Sequence, residues 1–338
     1  MQSPAAQTLA IGHSSDVPAA RRATKALAEQ LGFDSQTVDE IGLATSELAS
    51  NLVKHACGGA LRLTPLWDGA RSGIEIESLD EGPGIADANL ALTDGYSTAS
   101  SLGYGLGAVN RMMDHLEITS RPGGGTHIAC RRWLREQVAG PVECPLVFGV
   151  ATRARAGLSV NGDSFVVKRW RGAALAGVID GLGHGQFAHR AAEAARSYVE
   201  GHYDQPMAAI FRGTERACRA TRGVVMAFMR FDWPPLRMTF ASIGNIEARM
   251  FGAGEHVNLH NRRGVLGGSS PSPVVVEHIW HSQAVIVLHS DGLRTGWAWH
   301  DFRDVAEQPP ASIAQRMLNT LAKDEDDATV IVVREDRP

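Results

Sequence analysis

The sequence is poor in cysteine, in clustered basic residues and in long apolar segments, and each shortage excludes a class of protein. No two of its four cysteines form a C-x-x-C pair, so neither a zinc knuckle nor a dithiol redox motif is indicated. Lys and Arg never run to five in a row and the formal net charge is −4, so we expect no nucleic acid or anionic membrane as a partner. The N-terminus lacks the basic start and apolar run of a signal peptide, and no segment reaches the roughly 18 apolar residues of a transmembrane helix. We therefore expect a cytoplasmic protein whose thiols stay reduced.

With 338 residues, the chain is longer than a usual single core, which favours two domains. Hydrophobic periodicity is lost between residues 135 and 145, where two prolines occur, and this composition is typical of a linker. We predict an α/β (α+β) protein in which residues 1–136 form a first domain, residues 137–145 a linker and residues 146–338 a second domain.

Two amphipathic helices are predicted near the start of the chain. The first begins with Asp16 as its cap and ends at Gly32. The second is capped by Asp34 or Ser35, and its apolar residues recur at helical spacing. Gly58 and Gly59 are expected to close this second helix.

On the second helix, Glu47 and Asn51 stand at positions i and i+4, on one face. The amide oxygen of Asn51 can hold Mg²⁺, while the carboxylate of Glu47 orients or deprotonates a hydroxyl beside it. Taken alone, a pair at this spacing is usually a solvated helix face. The sequence that follows decides between the two interpretations.

Asp80 ends a predicted strand and begins the sequence D-x-G-x-G with Gly82 and Gly84. A carboxylate at this place can accept a hydrogen bond from an exocyclic amine such as that of adenine. Glycines lack the Cβ that would keep the backbone away from a flat ring. The alternative is an Asx-type turn after a strand.

A second glycine-rich segment opens a helix predicted to run from Gly107 to Asp114. Free backbone N–H groups at the start of a helix bind phosphate oxygens. The glycines at every second position are Gly103, Gly105 and Gly107. By itself this spacing is usually a flexible turn. Residues 86–101, before it, have the small polar composition of a mobile lid.

In this order and spacing, the three segments resemble the N, first-glycine and second-glycine boxes of the GHKL ATPase fold. The likeness is strongest to RsbT-like serine/threonine kinases of sigma-factor control and covers roughly residues 10 to 133. It implies an α/β sandwich of the Bergerat type that binds ATP and Mg²⁺, with Asn51 as metal ligand and Glu47 as catalytic base. It also implies that Asp80 and Thr126 lie at the adenine and that the glycines of both boxes contact the nucleotide.

The second half carries four acidic clusters, each beside an apolar β-like run. Carboxylates that meet at strand ends without basic partners repel one another, so divalent cations would explain their convergence. The alternative for any one Asp-Gly is a β-turn. The clusters contain Asp163, Asp180 with Gly181, Asp291, and Asp326 with Asp327.

This set resembles the metal-dependent (PPM-type) protein phosphatases of the SpoIIE class, RsbX above all, over roughly residues 146 to 335. The resemblance implies a β-sandwich flanked by helices and two Mn²⁺ or Mg²⁺ ions. Asp180 would bridge the ions as the catalytic ligand, with the Gly181 carbonyl on one of them, and Asp291 and Asp326 would complete the other. Asp163 would bind at the rim. Spacing leaves Asp326 and Asp327 open, with Asp326 preferred, and leaves His184 as a phosphate or water contact or a turn residue.

Together these resemblances imply a bifunctional enzyme of a bacterial stressosome or sigma-factor pathway, a protein serine/threonine kinase joined to a metal-dependent phosphatase. They further imply a STAS-domain protein as substrate. Two alternatives remain open for the first half. It binds nucleotide and a partner without transferring phosphate, or it sequesters a sigma subunit as an anti-sigma factor. The presence of Glu47 beside Asn51 favours kinase chemistry.

Overall fold

The computed structural model describes residues 5–68, 71–85, 105–135, 143–234, 236–252, 259–268, 270–281 and 283–336. The chain divides into two compact units, Met1–Gln137 and Val138–Pro338. Each unit is a domain and is described by itself. Most of the predicted linker, residues 137–142, lies outside the described residues, as do the predicted lid at residues 86–101 and Gly103.

The first domain is a two-layer α/β sandwich. Its strands pair antiparallel in the order β1-β2-β3-β5-β4. The elements in chain order are β1 (Gln7–Ile11), α1 (Asp16–Leu31), α2 (Ser35–His55), β2 (Gly59–Asp68), β3 (Arg71–Asp80), α3 (Gly105–Met112), β4 (His115–Ser120) and β5 (Thr126–Trp133).

Alternation along β2 and β3 buries one face of this sheet. Leu61 and Leu63 of β2 and Ile74 and Ile76 of β3 are fully buried and share one core with the apolar stripes of the helices. Because side chains alternate across a strand, the residues between them face the other side. The predicted GHKL-type α/β sandwich is therefore confirmed.

The helix ends agree only in part with the sequence predictions. The side chain of Asp34 caps α2 by accepting a hydrogen bond from the Thr37 N–H at 2.9 Å. The predicted cap of α1 is wrong, because the helix is capped at Ser15 and Asp16 lies in its first turn. The Asp16 carboxylate instead accepts from the backbone N–H groups of Gly12 and His13, at 2.9 and 2.8 Å.

The second domain is a β-sandwich with helices on both outer faces. Its sheets have the orders β12-β10-β9-β8-β7 and β11-β13-β14-β6. The strands are β6 (Leu146–Arg153), β7 (Asp163–Trp170), β8 (Ala173–Gly181), β9 (Val224–Asp232), β10 (Arg237–Ile243), β11 (Glu247–Phe251), β12 (Val274–Ile279), β13 (Val285–His289) and β14 (Ala328–Glu335). The helices are α4 (Gln186–His202), α5 (Met207–Ala217), the short 3₁₀ helix Trp299–Phe302 and α6 (Pro310–Leu321).

Three apolar layers stabilise this sandwich. One lies between the two sheets, one between α4, α5 and the first sheet, and one between α6 and the second sheet. Strand β8 is buried along nearly its whole length, since one face meets the opposite sheet and the other meets helices. The predicted β-sandwich flanked by helices is confirmed.

Among the described residues, no helix combines the length and the apolarity needed to cross a membrane.

Candidate functional site

The first domain presents the predicted acid–amide pair on α2. Glu47 and Asn51 are both partly exposed, while Leu48 and Leu52, one position further along, are buried in the core. Helical geometry therefore places the pair together on a face that the core does not cover. That arrangement leaves both polar groups accessible to a ligand.

Asp80 and Thr126 are brought together as predicted. They stand directly opposite each other on β3 and β5. The Asp80 Oδ1 atom accepts hydrogen bonds from the backbone N–H of Thr126 at 3.1 Å and of Gly82 at 2.8 Å. The Asx-type turn is thus present, and it coexists with the ligand interpretation because Asp80 Oδ2 takes no hydrogen bond from a described residue.

Gly84 of the first box and Gly125, just before β5, each have a structural reason to be glycine beyond ligand approach. Gly84 has a φ of 76°, and a Cβ there would collide with the Arg121 carbonyl oxygen. Gly125 has a φ of 75°, and a Cβ there would collide with the Asp80 carbonyl oxygen. The D-x-G-x-G turn thus packs backbone to backbone on the turn between β4 and β5, joined by the Gly125 N–H to Gly82 O hydrogen bond of 3.0 Å.

Helix α3 begins at Gly105, two residues before the predicted start. Gly105 has a φ of 65°, which favours glycine, and Gly107 is buried in the first turn. The backbone N–H groups at this helix start remain the predicted phosphate contacts. Gly103 lies outside the described residues.

In the second domain, the predicted acids converge at one edge of the sandwich. Asp163 begins β7 and stands opposite Asp180 near the end of β8. In the other sheet, Asp291 follows β13, and Asp326 and Asp327 precede β14. The ends of four strands from both sheets therefore carry carboxylates to the same place.

A cavity of about 580 Å³ opens at this edge. Asp180, Asp291 and Asp326 line it, together with His184. Asp327 does not line it, so the geometry favours Asp326 as the exposed carboxylate of that pair. Gly181 is buried beside Asp180, and its carbonyl remains a predicted ligand.

Asp163 is not at the rim, where the sequence analysis expected it. It is 6% exposed, does not line the cavity, and accepts a hydrogen bond from the Ser290 hydroxyl at 2.6 Å. Ser290 is itself fixed, because its Oγ accepts from the Thr329 N–H at 3.0 Å. Asp163 is thus held in the protein interior, at the β7–β8 pair.

The electrostatics of the cluster follow from burial and mutual repulsion. Burial first, and then the neighbouring carboxylates of Asp163 and Asp291, raise the pKa of Asp180 to about 9. Burial likewise raises the pKa of Asp163 to about 7, against the lowering effect of the Ser290 hydrogen bond. The pKa of Asp326 is raised by burial and then by Asp291. Each ionised acid therefore makes the next more costly to ionise.

The donor set fits divalent metal ions. Its members are hard carboxylate oxygens at a solvent-accessible cavity, and their repulsion is relieved when a cation enters. Asp327 gives a second indication of a metal site. Its Oδ1 accepts from the Arg155 N–H at 2.9 Å, but its Oδ2 is buried without a hydrogen-bond partner. Among the described residues, no three acidic, imidazole or thiol side chains already stand close enough to hold a metal ion.

Several cavity residues were missed by the sequence analysis. Asn245 lines the cavity and donates from Nδ2 to Asp291 Oδ2 at 2.7 Å, which orients that carboxylate. Glu325 and Arg263 also line it. Glu325 directly precedes the predicted pair Asp326 and Asp327, whereas Asn245 and Arg263 belong to no motif and reach the cavity only through the fold.

Comparisons with known proteins divide along the chain. The family model for the histidine kinase-like ATPase domain matches residues 13–131. The serine/threonine-protein kinase RsbT of Bacillus subtilis (strain 168) is 38% identical over 120 residues, which cover 36% of this chain and 90% of RsbT. An anti-sigma F factor of Thermoanaerobacter sp. (strain X514) is 30% identical over 121 residues, covering 34% of this chain and 83% of that factor.

Further likenesses are to a phosphatase and to a chain from work on the bacterial stressosome. The phosphoserine phosphatase RsbX of Bacillus subtilis (strain 168) is 23% identical over 170 residues, covering 50% of this chain and 85% of RsbX. A crystal structure of RsbX with magnesium is 21% identical in sequence and superposes with a TM-score of 0.51. The match covers 56% of this chain and 96% of RsbX, and it shows the fold. A chain solved in work on the bacterial stressosome shares 29% identity and a TM-score of 0.53, covering 56% of this chain and 99% of its own length.

Proposed function

This chain belongs, through its first domain, to the RsbT family of histidine kinase-like ATPases, and we propose that it is a bifunctional regulator of a bacterial partner-switching pathway. The first domain transfers the γ-phosphoryl group of ATP to a Ser or Thr hydroxyl of a partner protein. The second domain hydrolyses phosphoserine or phosphothreonine. The proposed partner is a STAS-domain protein, and the proposed place of action is the cytoplasm, where ATP is available.

One observation carries the proposal. Asp180, Asp291 and Asp326 meet at a single cavity of the second domain, in the same chain as a domain that is 38% identical to a serine/threonine-protein kinase. A carboxylate cavity of this kind suits hydrolysis of a phosphate ester, which is the reverse of what the first domain is proposed to do to a protein hydroxyl. Opposed activities in one chain are what a switch requires.

The kinase chemistry is assigned to residues of α2 and the β3–β5 pair. Asp80 would accept from the adenine amine through Oδ2, since Oδ1 already holds the turn. Asn51 would hold Mg²⁺ at the phosphates through its amide oxygen. Glu47, a turn away on the same face, would orient the attacking hydroxyl and accept its proton.

The phosphatase chemistry is assigned to the acids of the second domain. Asp180, Asp291 and Asp326, with the Gly181 carbonyl, would hold the two Mn²⁺ or Mg²⁺ ions, and Asp163 would support Asp180 from the neighbouring strand. Bound divalent ions supply a water that is nucleophilic at neutral pH and positive charge for the phosphoryl oxygens. Asn245 keeps the Asp291 carboxylate in place through its 2.7 Å hydrogen bond.

A second candidate function for the first domain is supported by its 30% identity to an anti-sigma F factor. In that case the domain would bind nucleotide and a partner and regulate by sequestration, and only the second domain would be an enzyme. Glu47 separates the alternatives, because a binding module needs no base on the attacking hydroxyl.

The test is incubation of the full chain with γ-labelled ATP and Mg²⁺ and each STAS-domain protein encoded near its gene. Kinase function predicts label on a Ser or Thr of one of them, lost again when Mn²⁺ is added to saturation. Formation of a stable complex with no label transferred would favour the second candidate. Failure of the chain to release phosphate from any phosphoserine or phosphothreonine substrate with Mn²⁺ would contradict the phosphatase assignment.

A further inference from the structure

One positively charged side chain lines the cavity of the second domain and has no role in the proposed chemistry. Within the described part of the chain, the charged side chains that line it are four carboxylates and one guanidinium, that of Arg263. The carboxylates belong to Asp180, Asp291, Glu325 and Asp326. Arg263 is exposed and forms no ion pair with a described residue, although acids share its cavity.

The backbone on either side of Arg263 is fastened to the central sheet. The Arg262 carbonyl accepts from the Gly244 N–H at 2.8 Å. On the other side, Leu266 and Val224 exchange backbone hydrogen bonds of 2.8 and 2.9 Å. Because both flanks are anchored to the first residues after β10 and at the start of β9, the loop presents Arg263 to the cavity at a defined place.

A side-chain contact adds to this anchoring. Asn261 accepts from the Ser242 hydroxyl at 2.8 Å and donates from Nδ2 to the Ile246 carbonyl at 2.6 Å. Asn261 is exposed and Ser242 is buried, so the contact ties the surface loop to the end of β10. The loop therefore does not depend on the Arg263 side chain for its conformation, and that side chain is free for a ligand.

We propose that Arg263 binds the phosphoryl oxygens of the phosphomonoester substrate and of the inorganic phosphate that is released. The inference rests on the proposed phosphatase function and assigns a residue that recognises its substrate. The phosphomonoester dianion must enter a cavity whose other charged side chains are all acidic, and the Arg263 guanidinium adds attraction for its oxygens beside the proposed metal ions. The planar fork of arginine matches two phosphate oxygens at once.

The first test measures binding of inorganic phosphate to the full chain by titration calorimetry at saturating Mg²⁺. Loss of a charged hydrogen-bonding group should weaken phosphate binding by roughly 10-fold or more in Arg263→Ala. Arg263→Lys should weaken it less, because it keeps the charge and loses the fork. Arg262→Ala is the matched control, since its exposed side chain does not line the cavity, and its affinity should match the unsubstituted protein within about twofold.

The second test separates substrate binding from metal binding with p-nitrophenyl phosphate. Arg263→Ala should raise KM, and raise the inhibition constant of inorganic phosphate, with the Mn²⁺ concentration for half activation unchanged. Equal phosphate affinity in Arg263→Ala and the unsubstituted protein would overturn the inference, as would no phosphate binding by either. Absence of turnover in the unsubstituted protein would instead count against the phosphatase function, and the calorimetry would still decide the role of Arg263.

Discussion

Asp163 and Asp180 stand directly opposite each other on the paired strands β7 and β8, so their two carboxylates lie on one face of the sheet. Side chains at directly opposed positions lie close together, and like charges at such positions are destabilising. Both groups are largely removed from water, which raises the pKa of Asp163 to about 7 and that of Asp180 to about 9. The metal-free domain therefore has a carboxylate pair that favours protonation.

This relationship predicts how metal-free stability depends on pH. When the folded-state pKa of an acid lies above its ordinary value of 3.8, its stabilising contribution to folding is complete below pH 3.8. That contribution is lost as the pH rises through about 7 for Asp163 and about 9 for Asp180. In EDTA, the unfolding temperature of the second domain should fall from pH 5 to pH 9.

Asp180→Asn should flatten this pH profile and raise the unfolding temperature at pH 8 in EDTA, because an amide, unlike the Asp180 carboxylate, does not have to take up a proton on folding. The rise should be roughly 2–4 °C for each 1 kcal/mol of repulsion removed. Mg²⁺ should stabilise the unsubstituted protein more at pH 8 than at pH 6, since metal ions and protons compete for the same oxygens. Thermal unfolding followed by circular dichroism makes the measurement, and a profile equally steep in Asp180→Asn would contradict the electrostatic cause.

The nucleotide site predicts that Asp80→Asn and Asn51→Ala weaken ATP binding. Asparagine keeps an Oδ1 that can accept from Gly82 and Thr126, so the turn persists while the second acceptor oxygen and the charge are lost. Removal of a charged hydrogen bond should cost roughly 10- to 100-fold in affinity. Titration calorimetry with ATP and Mg²⁺ measures it, with Gln36→Ala on the exposed first turn of α2 as the control. Unchanged affinity in both variants, with intact folding, would remove the basis for the nucleotide site.

Glu47→Ala should separate transfer from binding. Its proposed action is on the attacking hydroxyl, so ATP affinity should stay within about twofold of the unsubstituted protein while phosphate transfer falls on the order of 10²-fold or more. Glu47→Gln should be nearly as slow, because an amide cannot take the proton. Single-turnover transfer to the STAS-domain substrate makes the measurement. Transfer at the ordinary rate in Glu47→Ala would show that Glu47 is a solvated face residue.

The sequence predicted the parts of these sites that depend on local pattern. The long helix α2 follows from its periodicity, and the acids of the second domain were visible because each adjoins an apolar run. Strand β1 was missed, because its five residues are mostly exposed and its pairing partner, β2, lies about fifty residues away. The capping of α1 was wrong since Asp16 bonds backward to Gly12 and His13, a choice that the spacing does not reveal.

Contacts between distant segments account for the rest. Asn245 meets Asp291, and Ser290 meets Asp163, across 46 and 127 positions of sequence. Such contacts follow from how the two sheets stack, and no sequence motif around these residues predicts them. The burial of Asp163 has the same origin, because its partner Ser290 follows β13 of the opposite sheet.

The last prediction concerns the metals of the second domain. Treatment with EDTA should abolish hydrolysis of p-nitrophenyl phosphate and of phosphoserine or phosphothreonine peptides, and Mn²⁺ or Mg²⁺ should restore it. Asp180→Asn should be the most damaging single change, because Asp180 lines the cavity, interacts with the carboxylates of Asp163, Asp291, Asp326 and Asp327, and an amide supplies no charge. Asp326→Asn should be more harmful than Asp327→Asn, since Asp326 alone of the two lines the cavity.

The neighbouring Asp324 gives a matched control for this series. Its side chain is 86% exposed and lies outside the cavity, so Asp324→Asn should keep full turnover. ATP binding should be unchanged in every variant, because the two domains have separate hydrophobic cores. Turnover that survives EDTA, or an Asp180→Asn protein as active as Asp324→Asn, would mean that these acids are turn residues of a non-catalytic sandwich. A greater loss of turnover in Asp327→Asn than in Asp326→Asn would assign the ligand role to Asp327. Its buried Oδ2, which has no hydrogen-bond partner, would then be the atom that binds the metal.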